Sequence, residues 1–291
     1  MKIVNFKGGL GNQMFQYAFL LRLQKECKEE KVFMDHFEYL LKKMHSGFEI
    51  EKVFQISAKT ADIKELRKYK FYHIQSLPYR IYFKLFHRLT DIYKEKSSFD
   101  YYPKVFEEHK HFFDGYWQNH EYFDCIKETV LKEFQFKKPL DNINNTIFQQ
   151  MLSESNSVSI HVRRGDFLKH EMYIGICGKY YYEQAINSII GNSPIEPHFY
   201  VFSNDMDWCA KNIIPLTRKC KVTLVDWNKD SDSYKDMQLM TACHTNIIAN
   251  SSFSWWAAYL NIHKEHVVYA PQIWSNEKYR FKIQMPEWIL V

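Results

Sequence analysis

No run in this sequence of 291 residues reaches the ~18 apolar residues that a transmembrane helix needs. Where a secretory signal would carry an unbroken apolar core, the N-terminus passes through Lys2, Lys7, Gly8 and Gly9, so the expectation is a cytoplasmic chain. The six cysteines, Cys27, Cys125, Cys177, Cys209, Cys220 and Cys243, show no C-x-x-C and no repeated Cys/His spacing. That argues against a disulfide framework or a zinc finger and reads as buried thiols. A strong charge excess is missing too: the net +5 is spread over mixed Lys and Glu, which suits an anionic ligand or a membrane surface but implies no nucleic-acid partner. There are no internal repeats and no low-complexity segments.

What the chain has in quantity is aromatic rings, 23 Phe and 20 Tyr. Sugars stack their C–H faces on such rings, but most aromatics are core material, and core is the expected role here. The second half alternates β-branched runs with helical patterns: SVSIHV (157–162), FYVFS (199–203), KVTLVDW (221–227), NIIA (246–249) and HVVYAP (266–271) are each separated by helix-length segments. This alternation predicts βαβ units around a parallel sheet. The first half opens the same way, with KIVNF, a helix from about Asn12, and KVFMD (31–35). It continues less regularly to a strand at HFFDGYW (111–117) and a helix near 119–134. KKPLDNINN (137–145) reads as the connection. The expected domains are 1–145 and 146–275, with 276–291 packing back on the first.

The opening GGLGNQ poses a choice. Gly9-x-Gly11 sits between a strand and a helix, and Asp35 follows where a ribose-binding acid would stand, roughly 20 residues on. A dinucleotide loop would place a third glycine where this chain has Met14, so a plain strand-to-helix turn explains the residues better.

A sharper constellation is SIHVRRGDF (159–167), a buried strand with Arg163, Arg164, Gly165 and Asp166 at its carboxyl end. Ligands of open α/β sheets bind there, and a guanidinium anchors a diphosphate in bidentate fashion. A surface turn with an internal Arg–Asp pair explains it equally well. ANSSFSWWAAYL (249–260) then places Ser251, Ser252 and Ser254 at a helix start, where hydroxyls, free N–H groups and the helix dipole favour an anion. FSND (202–205) ends a third strand on Asp205, a contact for a base or ribose, or a helix cap.

GGLGNQMFQYA (8–18), HVRRGDF (161–167), FSND with WC following (202–209) and DMQLMTACHTNIIANSSFSWWAAYL (236–260) together resemble the α-1,2-fucosyltransferases, in the same order, up to about residue 275. The resemblance implies an α/β fold of GT-B type, two Rossmann-like domains facing across a cleft. It also implies inverting transfer of fucose from GDP-fucose to the 2-hydroxyl of a terminal β-galactoside, with no cofactor and no metal. Arg163 would hold the β-phosphate in place of a divalent ion, with His161 beside the guanosine, Asp205 near the nucleoside, and Ser251, Ser252 and Phe253 forming the phosphate turn. Gly9 and Gly11 would let the backbone approach, and Asn12 would reach the diphosphate or the sugar. Arg164 would be structural, paired with Asp166 or another acid. For a general base, Asp166 lies in the motif and Glu171 at the spacing from His161 where core fucosyltransferases have a functional acid. Asp114 and Glu121 are first-domain alternatives, and a mechanism without a side-chain base stays open. PYRIYFKLFHRL (78–89) is either a core helix with snorkelling bases or a peripheral membrane contact for lipid-linked acceptors. Two other functional classes stay in view: a nucleotide-dependent oxidoreductase using the glycine loop and Asp35, and a glycan-binding protein without catalysis.

Overall fold

The computed structural model describes residues 1–41, 46–69, 91–276 and 283–291, so the segment 78–89 lies outside the described residues. Two compact units divide the chain, Met1–Gln135 and Phe136–Val291. All strand pairings in them are parallel, as the βα alternation predicts.

In the first unit, β1 (Lys2–Asn5), β2 (Val32–Asp35), β3 (Lys59–Thr60), β4 (Ile92–Lys94) and β5 (Phe112–Asp114) lie in the order β3-β2-β1-β5-β4. The helix Leu10–Glu26 leaves the end of β1 and is buried on nearly every side, from Met14 and Phe15 to Leu20 and Leu23. Its polar Gln13 and Gln16 tolerate burial because they are hydrogen-bonded: Gln13 Oε1 accepts from the N–H groups of Glu49 and Ile50, and Gln16 Oε1 from that of Lys7. Aromatics form much of this core. Phe19 stacks on Trp117 with ring centroids 3.9 Å apart, while Tyr122 meets both rings edge-on. The helix expected near 119–134 is broken. Asn119 caps a 3₁₀ turn at His120–Tyr122, a second turn spans Asp124–Ile126, and only Lys127–Glu133 is α-helical, because Phe123 leaves the helical region at ψ 3° with φ −136°.

The second unit holds β6 (Ser157–Val162), β7 (His198–Ser203), β8 (Val222–Val225), β9 (Thr245–Ile247), β10 (Val267–Ala270) and β11 (Ile289–Leu290), in the order β11-β10-β9-β6-β7-β8. Covered on both faces, β6 is buried at all of its positions, as a central parallel strand requires. The helix Lys179–Asn192 turns Tyr181, Tyr182, Ala185, Ile186 and Ile189 onto the sheet, against Val158, Ile160 and Val201. The polar stretch 137–145 enters this unit: Asp141 caps the helix Asn142–Ser153 and accepts from Lys235 at 2.8 Å. The closing segment, expected to return to the first domain, ends here instead, where Ile289 and Leu290 pair with Tyr269 and Ala270 of β10.

The thiols are less uniform than expected: Cys209 and Cys243 are buried, whereas Cys125 is exposed and the other three are intermediate.

Candidate functional site

Parallel pairing aligns the carboxyl ends of β9, β6 and β7, with His161 beside Phe202 and Val162 beside Ser203. Three predicted segments are therefore adjacent by topology: His161–Asp166, Ser203–Asp205 and Asn250–Phe253.

The two arginines leave β6 with different partners. Arg163 forks onto Asp166 through Nη2 at 2.9 and 3.0 Å and lies over the Phe167 ring, with about a third of its side chain exposed. Arg164 is drawn inward: its Nε donates to Asp205 at 3.0 Å and its guanidinium stacks 4.2 Å from the Trp208 ring. The Arg164 N–H donates to Asn204 Oδ1 at 2.9 Å. Gly165 is needed there. Its φ is +44°, and a Cβ would stand 2.5 Å from Asn204 Nδ2. Asn204 is thus a residue that ties the ends of β6 and β7 together. Its position between FS and D in a predicted strand end was visible, but not its reach to Arg164.

Asp205 accepts from the Trp208 N–H as cap of the helix Met206–Asn212 as well as from Arg164. Asp205 and Asp207 have the D-x-D spacing of metal-binding pairs, but these contacts commit Asp205, and no group of three or more metal-ligating side chains occurs among the described residues.

His161 is buried with Nδ1 unpartnered, and its ring lies 5.7 Å from that of Phe253. Burial, reinforced by the charge on Arg163, pushes its pKa down to about 3, so the imidazole is neutral at physiological pH. A neutral ring with an unmet hydrogen-bonding atom is suited to a polar ligand group, and a buried orphan is otherwise costly. Across from it, Ser251 caps the helix Ser252–Tyr259 by accepting from the Phe253 N–H at 3.4 Å, and Ser254 Oγ donates to the Ala249 and Ser251 carbonyls. The capped end carries the positive pole of the helix toward the same strand ends. Asn250 is fixed behind it, donating to the Trp274 carbonyl from its side chain and to Cys177 Sγ from its backbone. Glu171 is exposed, and its backbone carbonyl accepts from Asn276 Nδ2 at 2.8 Å. Asp166, the other base candidate in this unit, is the partner of Arg163.

The glycine loop occupies the equivalent strand end in the first unit. Gly8 adopts φ +83°, a conformation that favours glycine, and a Cβ there would run into Asn12. Gly9 accepts from the N–H groups of Asn12 and Gln13, and Gln118 Nε2 donates to Asn12 Oδ1 at 2.6 Å. Gly11 is buried in the first helical turn. Asp35 is fully buried and accepts from the Phe37 N–H, so the acid that a dinucleotide reading would assign to ribose faces the interior. Asp114 accepts from both Asn5 Nδ2 and Lys7 Nζ at 2.8 Å, and Lys7 lies over the Tyr116 ring. Glu121 is exposed.

A cavity of about 770 Å³ in the second unit, lined by Ile174, Tyr180, Gln184, Pro271 and Leu290 among others, contains none of the predicted site residues.

The profile of glycosyl transferase family 11 matches residues 1–291. The chain is 30% identical to an α-1,2-colitosyltransferase of Escherichia coli over 95% of this chain and 93% of the relative. It is also 30% identical to the human galactoside α-(1,2)-fucosyltransferase 1 over 48% of this chain and 40% of that protein. In fold it is similar to the NodZ α-1,6-fucosyltransferase, whose crystals were soaked with GDP-fucose, with a TM-score of 0.53 and 14% identity over 89% of this chain and 92% of that one. Two parallel α/β units of this kind are the GT-B architecture.

Proposed function

The chain belongs to glycosyl transferase family 11, and from that premise we propose that it transfers L-fucose from GDP-fucose to the 2-hydroxyl of a terminal β-galactoside, with inversion and without a metal. The names of the bacterial and human relatives support an α-1,2 linkage, and the human one supports fucose and a galactoside acceptor. The single observation that carries the donor assignment lies within the second unit. A partly exposed guanidinium (Arg163), a buried neutral imidazole with an unmet nitrogen (His161) and a serine-capped helix start (Ser251–Phe253) stand at the ends of adjoining strands.

In this reading Arg163 exchanges part of its contact with Asp166 for the β-phosphate and neutralises the charge that grows there as the glycosidic bond breaks. His161 and Asp205 serve the nucleoside, and Ser251, Ser252 and Phe253 the phosphates. The fucosyl carbon passes through an oxocarbenium-like state while the acceptor hydroxyl approaches. Asp166 takes the hydroxyl proton if a side chain does, contributing on the order of 10²–10⁴-fold. Asn12, with Gly9 and Gly11 at its back, is assigned to the reacting sugar. The proposed setting is the cytoplasmic assembly of a bacterial surface glycan. No helix among the described residues is long and apolar enough to cross a membrane.

Colitose is the second donor sugar to consider, because a relative that matches nearly the whole chain is named for it. Incubation with GDP-fucose or GDP-colitose and a panel of β-galactosides, followed by linkage analysis, decides among these. The expected product carries fucose on the galactose 2-hydroxyl with α configuration. Colitose transfer alone would replace the donor, and a lectin would release no GDP.

A further inference from the structure

At the edge of the first unit's sheet, Glu95 directly follows β4, beside the end of β5, and its backbone N–H donates to the Asp114 carbonyl at 2.9 Å. Part of the residue reaches the surface, but its carboxylate is turned onto the loop that leaves β5. Oε2 accepts from the Tyr116 N–H at 2.6 Å and Oε1 from the Trp117 N–H at 2.8 Å. Gly115 makes room for this approach, since a Cβ there would stand 2.6 Å from Glu95 Cβ and 2.7 Å from Oε2. Trp117 is held at φ +57°, an unusual conformation for a bulky residue, while its ring is fixed against Phe19. The next residue, Gln118, is the one that grips Asn12 at 2.6 Å.

We infer that Glu95 is a positioning residue, a carboxylate clamp that sets the Gly115–Gln118 loop and, through Gln118, the orientation of Asn12 for sugar transfer. The inference rests on the transferase reading for the role of Asn12, while the clamp itself is testable without it. A single carboxylate facing two adjacent N–H groups needs both oxygens as acceptors, and it loses that match when one takes a proton. Burial pushes the Glu95 carboxyl up to about 7, against the pull of the two N–H groups and of Lys7; Asp114 pushes the same way as burial, and the phenols of Tyr93 and Tyr122 also face it. The clamp therefore closes as pH rises through about 7 and opens below it.

Stability runs the other way. A carboxyl raised from 4.5 to about 7 on folding contributes stability that is present below pH 4.5 and is lost as pH climbs to about 7. The ionised form that orders the loop is the form the fold binds less well.

Glu95→Gln places an NH₂ against one of the two N–H groups, and Glu95→Asp keeps the charge on a shorter arm. For Glu95→Gln the expected result is a rise in acceptor KM and a fall in kcat that together lower kcat/KM by about 10–100-fold. GDP affinity should stay unchanged, the acid limb near pH 7 should disappear, and Glu95→Asp should recover part of the rate with its limb restored. Hydrogen exchange at the Tyr116 and Trp117 amides, corrected for intrinsic rates, should be slow in the wild type at pH 8 and fast in Glu95→Gln. The melting-temperature difference between Glu95→Gln and wild type should shift in favour of the variant between pH 4.5 and 7. Equal exchange in both proteins, or an acid limb that Glu95→Gln retains, would overturn the inference. A wild type that transfers no sugar would overturn the transferase reading instead, with exchange and melting still deciding the clamp.

Discussion

The ends of β1 and β6 are the same feature of two parallel sheets, a strand running into a turn with glycine at positive φ, yet they are finished in opposite ways. After β1, neutral amides bond to one another and to backbone: Asn12 with Gln118, Gln13 with Gly8, Gly47, Glu49 and Ile50, and Gln16 with Lys7 and Gly115. After β6, one arginine is tied down by Asp205 and Trp208 while the other stays partly exposed beside a histidine whose Nδ1 has no partner. Glycine at a strand end therefore says only that the chain turns sharply. Whether the turn serves an anion depends on which polar groups are left over once the turn is built. At β1 the amides are absorbed in fixing geometry, whereas at β6 cationic and hydrogen-bonding capacity remains.

The largest effect expected from this contrast comes from Arg163→Ala. Removing the guanidinium should lower transfer by roughly 10³-fold or more and weaken GDP binding, because no other cation is assigned to the leaving phosphate. The pair with Asp166 is solvent-exposed, so the melting temperature should hardly move. Steady-state kinetics beside a thermal melt checks both, and a folded variant with full activity would move the anion site elsewhere. A smaller effect is expected at the first turn. Asn12→Ala should lower kcat by about 10–100-fold through misplacement of the reacting groups while leaving GDP affinity within error. A large loss of GDP affinity would instead place the glycine loop on the nucleotide and erase the distinction between the two ends.

How much of this was legible beforehand follows from the range of the interactions. The second sheet was, because β6 alternates Val158, Ile160 and Val162 with Ser and His, and Lys179–Asn192 repeats its buried positions at helical spacing. The first sheet was less so: β5 lies within the expected strand 111–117, but β3 has two residues and β4 three, too short for a pattern to register. The break at Phe123 was hidden because His120–Glu133 reads as a single amphipathic run. HVRRGDF and NSSFS announced themselves by composition. That Arg164 would be the structural arginine, paired with an acid, was implied by the resemblance; that its partners would be Asn204 and Asp205 was not, because they lie some 40 residues away in sequence. Glu95 was invisible for the same reason: nothing local marks a glutamate whose partners are backbone N–H groups 21 and 22 residues further on.

The central claim is that the residues at the ends of β6 and β9 hold a nucleoside diphosphate by fixed cation and hydrogen bonds alone. Calorimetric titration of GDP into the wild-type protein in the presence of EDTA tests it most directly. The expected result is binding at micromolar concentrations, with NAD giving no heat, and with a pH dependence between about 5.5 and 8 that follows the ionisation of the terminal phosphate, because His161 stays neutral throughout and adds no step of its own. Failure of GDP to bind until a divalent metal is restored would contradict it.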